Sequence, residues 1–166
     1  ECLDSITEQL QEGDEIWLID DRAGLSLDRL LLYSDEPINI LHCPWVVGCA
    51  DGWNFGVSLA KNDLCLLMGS DDRLYPDCLD ELREAYTAHN YLNAWYNLTI
   101  EITEGPESGI HSVFNNAAAV TKNLWRWLGG FPPSAGAGAP NSAPGWSTTT
   151  SGSSPLACSA ALAGVR

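Results

Sequence analysis

The fold is decided by the stretch Leu-Cys-Leu-Leu-Met-Gly-Ser-Asp-Asp-Arg-Leu-Tyr-Pro-Asp, residues 64–77. Its aliphatic first part, Leu64–Met68, predicts a short strand buried on both faces of a parallel sheet. The strand is followed by Asp71 and Asp72, and Pro76 suits the first turn of a helix. Adjacent carboxylates repel each other unless a cation or hydrogen-bond donors balance them. The stretch therefore predicts either a metal–phosphate site, in the manner of Mg2+, or a solvated acidic turn.

A second strand, Glu15–Asp21, also ends in two carboxylates, Asp20 and Asp21. In open α/β sheets, ligands bind at the carboxyl ends of the strands. If the two strands are near neighbours, both acidic pairs lie at one edge. One pair would then accept hydrogen bonds from a base or ribose, while the other would hold a metal on a diphosphate.

Helices and strands alternate along the first 90 residues, which predicts βαβ units and a mostly parallel sheet. Further on, residues 91–104 alternate in polarity and predict one longer strand. The remaining predicted elements are helices at 2–12, from Ser26, at 48–61, from Pro76 and at 123–128, and strands at 38–42 and 117–121.

Composition changes sharply near the end of the chain. Residues 132–166 consist mainly of Gly, Ala, Ser, Thr and Pro and contain no acidic residue. Such a segment buries too little apolar surface to order itself. We therefore predict one domain over residues 1–131 and a disordered tail over residues 132–166.

Charge excludes several classes of partner. The chain of 166 residues carries 22 acidic and 8 basic side chains, a net charge of −14. Nucleic acids and anionic membranes both bind basic protein surfaces, so we expect neither as a partner of this acidic chain. No membrane span or signal peptide is visible. The six cysteines contain no Cys-x-x-Cys pair, so we expect reduced thiols and a cytoplasmic location.

Taken together, the motifs resemble the nucleotide-binding part of the family 2 glycosyltransferases, which have the GT-A fold, a Rossmann-like α/β sheet flanked by helices. The resemblance covers residues 2–131, and the order and spacing of the motifs agree. The matching segments are Ser5–Gln9, Ile19–Ala23, Gly48–Gly56 with Asn54, Gly69–Asp72 with Pro76, and Gly129–Phe131.

The resemblance implies a metal-assisted, hexosyltransferase-type transfer of sugar from a nucleotide-diphosphate sugar, in the first place a UDP-sugar, to an unknown acceptor. It implies nucleotide contacts at Asp20, Asp21, Asn54 and Asp71. It also implies a Mg2+ or Mn2+ ion at Asp71 and Asp72.

Departures from the family pattern lead us to expect a fragment with uncertain activity. Gly69 stands where the family usually has an aspartate, and the first strand of the family is missing. No carboxylate follows Glu107, so the downstream general base is absent and the catalytic residue is unassigned. We expect contact with the inner face of the membrane only through regions of the protein that are missing from this fragment. Two alternatives stay open: a phosphorelay receiver-like regulatory domain, and a non-catalytic nucleotide-sugar-binding module.

Overall fold

The computed structural model describes residues 1–22, 31–45, 47–89, 93–97, 99–102, 109–112, 117–132 and 160–165. The helices are α1 (Cys2–Thr7), α2 (Cys49–Leu59), α3 (Cys78–His89) and α4 (Lys122–Leu128), with a 3-10 turn at Leu31–Tyr33. The strands are β1 (Glu15–Asp20), β2 (Ile38–His42), β3 (Leu64–Gly69), β4 (Trp95–Asn97), β5 (Thr99–Ile102), β6 (Gly109–Ser112), β7 (Ala117–Thr121) and β8 (Ala160–Val165). The helix predicted from Ser26 falls largely on residues outside the described ranges.

Six of these strands form one sheet in the order β2-β1-β8-β3-β7-β4, and β5 and β6 form a separate antiparallel ribbon. Strands β2, β1, β3 and β4 run in one direction, while β7 and β8 run against them. The predicted α/β class is confirmed. The pairing is more mixed than the predicted mostly parallel sheet, because β1 and β2 are the adjacent parallel pair among the described strands.

Helices cover both faces of the sheet and separate two apolar layers. On one face, Ile6 of α1 and Leu79 and Leu82 of α3 pack against Ile16, Leu64, Leu66 and Met68. On the other face, Val57 at α2 packs with Cys65, Leu67 and Val120, and the side chains of Trp125 and Phe131 close this layer. Strand β3 contributes to both layers, and its residues Leu64–Met68 are all buried. The prediction of a strand buried on both faces is confirmed.

Buried polar groups fix the end of the sheet where β1 begins. The Glu15 carboxylate accepts hydrogen bonds from the backbone N–H groups of Lys61 (2.5 Å) and Asn62 (3.0 Å). Arg83 of α3 forms ion pairs with the buried Asp14 and with Asp80. Because both contacts join α2 and α3 to the start of β1, they hold the helices in register with the sheet.

Two parts of the chain differ from the sequence prediction. The single strand predicted over residues 91–104 is divided into β4, which joins the main sheet, and β5, which joins the ribbon. Strand β8 lies in the tail for which disorder was predicted. It pairs antiparallel with β1 and with β3, so residues 160–165 are ordered by contacts with two strands rather than by their own composition. Residues 133–159 of the tail lie outside the described ranges.

Candidate functional site at the carboxyl edge of the sheet

Strands β1 and β2 bring Asp20 and His42 together. The two residues are direct partners in the parallel register. The Nδ1 atom of His42 lies 2.9 Å from Oδ2 of Asp20, and the His42 side chain is 58% exposed while that of Asp20 is 10% exposed. The carboxylate therefore orients the imidazole and leaves its other nitrogen at the surface of this edge.

Asp21 is held by backbone donors that precede α2. Its Oδ1 accepts the N–H of Val47 at 2.6 Å, and its Oδ2 accepts the N–H of Gly48 at 2.9 Å. The residue is 1% exposed. A carboxylate next to a helix N-terminus is also favoured by the helix dipole. In this structure Asp21 fixes the path from β2 into α2, and its carboxylate is turned into the protein.

The second acidic pair folds back over Gly69 at the end of β3. Oδ2 of Asp72 accepts the Gly69 N–H at 2.9 Å. A Cβ atom at position 69 would lie 2.7 Å from Oδ1 of Asp71 and 2.9 Å from Oδ2 of Asp72. A side chain at this position would displace both carboxylates. Glycine here is therefore required by the arrangement of the pair.

The surroundings of Asp72 oppose its ionisation. Burial raises the pKa of the Asp72 carboxyl, and the neighbouring Asp71 charge raises it further, while the hydrogen bond from Gly69 opposes the shift. A divalent cation would reverse this balance, because it favours the charged form of both carboxyls. The pair is therefore suited to meet a cation.

Cys2 lies against the same acidic pair, at the start of α1. Its Sγ atom is 3.5 Å from the carbonyl oxygen of Gly69. Burial, Asp72 and Asp71 raise the pKa of the thiol to about 11. The thiol is thus protonated at neutral pH and serves as a neutral hydrogen-bond donor.

The two acidic pairs lie at one edge of the sheet, as predicted, but they are not adjacent. Strand β8 separates β1 from β3, and its first residue, Ala160, is the register partner of both Ile19 and Gly69. At roughly 4.8 Å per strand, the ends of β1 and β3 are about 10 Å apart. This span suits an extended ligand that contacts both pairs.

Asn54 of α2 contacts the Gly129–Phe131 turn. Its Oδ1 accepts the indole N–H of Trp125 at 2.9 Å and the backbone N–H of Phe131 at 2.8 Å. Its Nδ2 donates to the carbonyl of Phe131 at 3.0 Å. An amide oxygen offers two lone pairs, so the Oδ1 atom is fully used within the chain.

A metal ion at this edge would depend on Asp71 and Asp72. Among the residues that the structure describes, no group of three or more His, Cys, Asp or Glu side chains is placed to hold an ion. Two carboxylates with the remaining positions filled by phosphate oxygens and water is a common arrangement for Mg2+. The residues present fit a metal that binds together with its anionic ligand.

Sequence reasoning placed both acidic pairs at the edge but missed the residues that shape them. The sequence did not predict the contact between His42 and Asp20, which follows from the parallel pairing of β1 and β2. Gly69 was read as a weakness of the metal motif, because the sequence carries no signal for carboxylates that fold back over a glycine.

These features define an α/β protein with acidic side chains gathered at the carboxyl ends of its parallel strands. A family model described as glycosyl transferase family 2 matches residues 1–139, more than half of the chain. The chain belongs to this family, whose members have the GT-A fold and commonly use a divalent metal. The match covers both acidic pairs, α2 and the Gly129–Phe131 turn, so the receiver-like alternative loses its support.

No curated protein and no solved structure matched the chain. Within the described ranges, none of the helices has the length and apolar character needed to cross a membrane.

Proposed function

We propose that the chain binds a nucleotide-diphosphate sugar at the carboxyl edge of β1 and β3 and serves sugar transfer to an acceptor. The observation that carries the proposal is the placement of two acidic pairs at one edge, about two strand spacings apart, in a glycosyltransferase of family 2. A UDP-sugar is the first donor to test, and the hexosyltransferase type belongs to the same proposal.

Each end of the edge has a different task in this proposal. Asp20, with His42 oriented beside it, contacts the base or ribose. Asp21 supports that contact through the loop that it holds by its two backbone hydrogen bonds. Asp71 meets the ribose and, together with Asp72, holds a Mg2+ or Mn2+ ion.

When bound, such an ion offsets the negative charge that develops on the nucleotide-diphosphate leaving group. The chain's own contribution is to hold Asp71 and Asp72 close to Gly69. There, Oδ1 of Asp71 and Oδ2 of Asp72 lie near the same point beside residue 69. An ion is also needed for charge balance, because a chain with a net charge of −14 repels a free diphosphate.

A second candidate is a nucleotide-sugar-binding module without catalysis. The observation that favours it is the absence of any aspartate or glutamate after Glu107 in the sequence. The resemblance to the family implies a general base downstream of the Gly129–Phe131 turn, and residues 132–166 contain no carboxylate side chain that could serve as one. Cys2, Cys43, Cys65 and Cys78 are free thiols, which is consistent with the cytoplasm as the proposed compartment.

Thermal unfolding in the presence of UDP-sugars and Mn2+ tests the proposal. A ligand at 100 times its Kd adds about 2.7 kcal/mol, which corresponds to roughly 5–10 °C in Tm for a domain of this size. The shift should require both metal and UDP-sugar and should be lost in Asp71→Ala. Release of free sugar or UDP, followed by mass spectrometry, then separates an enzyme from a binding module. Absence of a shift with UDP-, GDP- and dTDP-sugars would overturn the proposal.

A further inference from the structure

We infer that Asn54 is a positioning residue that locks the Gly129–Phe131 turn onto helix α2, and that it is not a ligand of the nucleotide. The second half of this inference rests on the proposed function, whereas the first half concerns the chain alone. It replaces the nucleotide contact that the resemblance to the family implied for Asn54.

The side-chain amide is occupied by three groups of the chain. Two donors, the Trp125 indole and the Phe131 backbone N–H, converge on Oδ1 within 2.9 Å. The Phe131 carbonyl accepts from Nδ2 at 3.0 Å. The Asn54 amide therefore hydrogen-bonds to both the N–H and the C=O of Phe131, which is the pattern that a paired strand would provide. One N–H of the amide is left for any other partner.

The two glycines allow this approach for different reasons. Gly129 has φ +81 and ends α4 in the left-handed conformation, with its N–H bonded to the carbonyl of Arg126. Gly130 has φ +84, and a Cβ there would lie 2.9 Å from Oδ1 of Asn54 and 3.4 Å from the Trp125 indole nitrogen. A side chain at residue 130 would therefore push the Asn54 amide away, besides straining the backbone.

The lock also fixes an aromatic cluster. The Phe131 ring packs edge-to-face on Trp53 at 5.8 Å and on Trp95 at 5.9 Å between ring centroids. Trp53 precedes Asn54 on α2, and Trp95 belongs to β4. Asn54 thus connects α2 with the end of α4 and, through the Phe131 ring, with β4.

Site-resolved hydrogen exchange on the full chain tests the lock. In Asn54→Ala, the amide of Phe131 and the indole N–H of Trp125 should exchange at least tenfold faster, because both lose their acceptor. In Asn54→Asp, the acceptor oxygens remain, so the Trp125 indole should stay protected within threefold of the native chain. Ser58→Ala is the matched control on the same helix, because the exposed Ser58 hydroxyl donates to the Phe55 carbonyl of α2 itself.

Titration with UDP and Mn2+ tests the second half. Affinity in Asn54→Ala should stay within threefold of the native chain, whereas Asp71→Ala should lose tenfold or more. Unchanged exchange at Phe131 and Trp125 in Asn54→Ala would overturn the lock. A tenfold loss of UDP affinity in that variant would overturn the assignment as a positioning residue. If the native chain binds no nucleotide, the proposed function fails, while the exchange data still decide on the lock.

Discussion

At the scale of single residues, the site is shaped by small groups beside the acidic side chains. Gly69 gives Asp71 and Asp72 the space to fold over the end of β3, and its N–H donates to Asp72. The backbone N–H groups of Val47 and Gly48 donate hydrogen bonds to the two carboxylate oxygens of Asp21. Neighbouring backbone groups therefore position these carboxylates. We expect a substitution at Gly69 to weaken ligand binding as much as a substitution of an aspartate.

Gly69→Ala should weaken metal-dependent UDP binding tenfold or more with only a small loss of stability. The added Cβ would contact the carboxylate oxygens of Asp71 and Asp72. Both side chains can rotate away with little loss of folding free energy, but the two carboxylates will then no longer lie side by side. Titration calorimetry with UDP and Mn2+ measures the affinity. Ser70→Ala, at the exposed neighbouring residue, is the control, and equal affinity in the two variants would refute the role of Gly69.

Asp72→Asn should make the metal-free chain more stable at pH 7. Because the folded pKa of Asp72 lies above the unfolded value of 3.8, ionisation of this carboxyl costs stability once the pH exceeds both values. Below pH 3.8 the carboxyl is protonated in both states and the cost disappears. The difference in unfolding free energy between variant and native chain, measured in urea, should therefore shrink as the pH falls to about 4. A variant less stable at pH 7 would contradict this reasoning.

At the scale of the elements, α4 shows how one side chain begins a helix and joins it to a strand. Thr121 ends β7 and is the N-cap of α4, with its hydroxyl oxygen 3.4 Å from the Leu124 N–H and 3.0 Å from the Ala94 N–H. Since Thr121 is 1% exposed, water cannot replace these bonds.

Thr121→Ala should lower the free energy of unfolding by about 1–3 kcal/mol, from the lost cap and the unpaired buried N–H of Ala94. Chemical denaturation measures the change. Thr121→Ser keeps the hydroxyl and should recover most of it. An alanine variant as stable as the serine variant would show that the cap does not contribute.

The sequence predicted β1, β2, β3 and β7 well because each is a short apolar run with clear ends. The prediction of one strand over residues 91–104 was wrong, because alternating polarity indicates an extended segment but not the sheet that the segment joins. The sequence prediction also failed at Ala160–Val165, because these residues lie in a tail whose Gly-, Ala-, Ser- and Pro-rich composition predicts disorder. This strand forms where β1 and β3 both present an edge, and buried backbone groups need partners. At the site, the sequence located the four aspartates but not Gly69 or His42.

At the scale of the whole molecule, β8 joins two halves of the sheet. One half is β2-β1 with Asp20, and the other is β3-β7-β4 with Asp71 and Asp72. Within the sheet, these two halves are paired through β8. The spacing of the two acidic pairs along the sheet edge therefore depends on this strand.

Gly164→Cys should form a disulfide with the native Cys65, because residues 164 and 65 are register partners. Opposite residues in antiparallel strands have Cα atoms about 4.5–5.5 Å apart, which suits a disulfide. The product is identified by peptide mass spectrometry after refolding in glutathione, in a Cys158→Ser background. Ala163→Cys lies opposite Leu66 and should not react with Cys65. A bond from position 163, or none from 164, would contradict the antiparallel register.

In the proposed function, the two acidic pairs form one metal-dependent site for a nucleotide diphosphate. Calorimetric titration of the full chain with UDP, with and without Mn2+, measures binding at this site. We expect binding at a ratio of one to one that requires the metal and is weakened tenfold or more both in Asp20→Ala and in Asp71→Ala. Binding that is independent of metal, or that survives the loss of either aspartate, would refute the proposed site, as would no binding of UDP, GDP or dTDP.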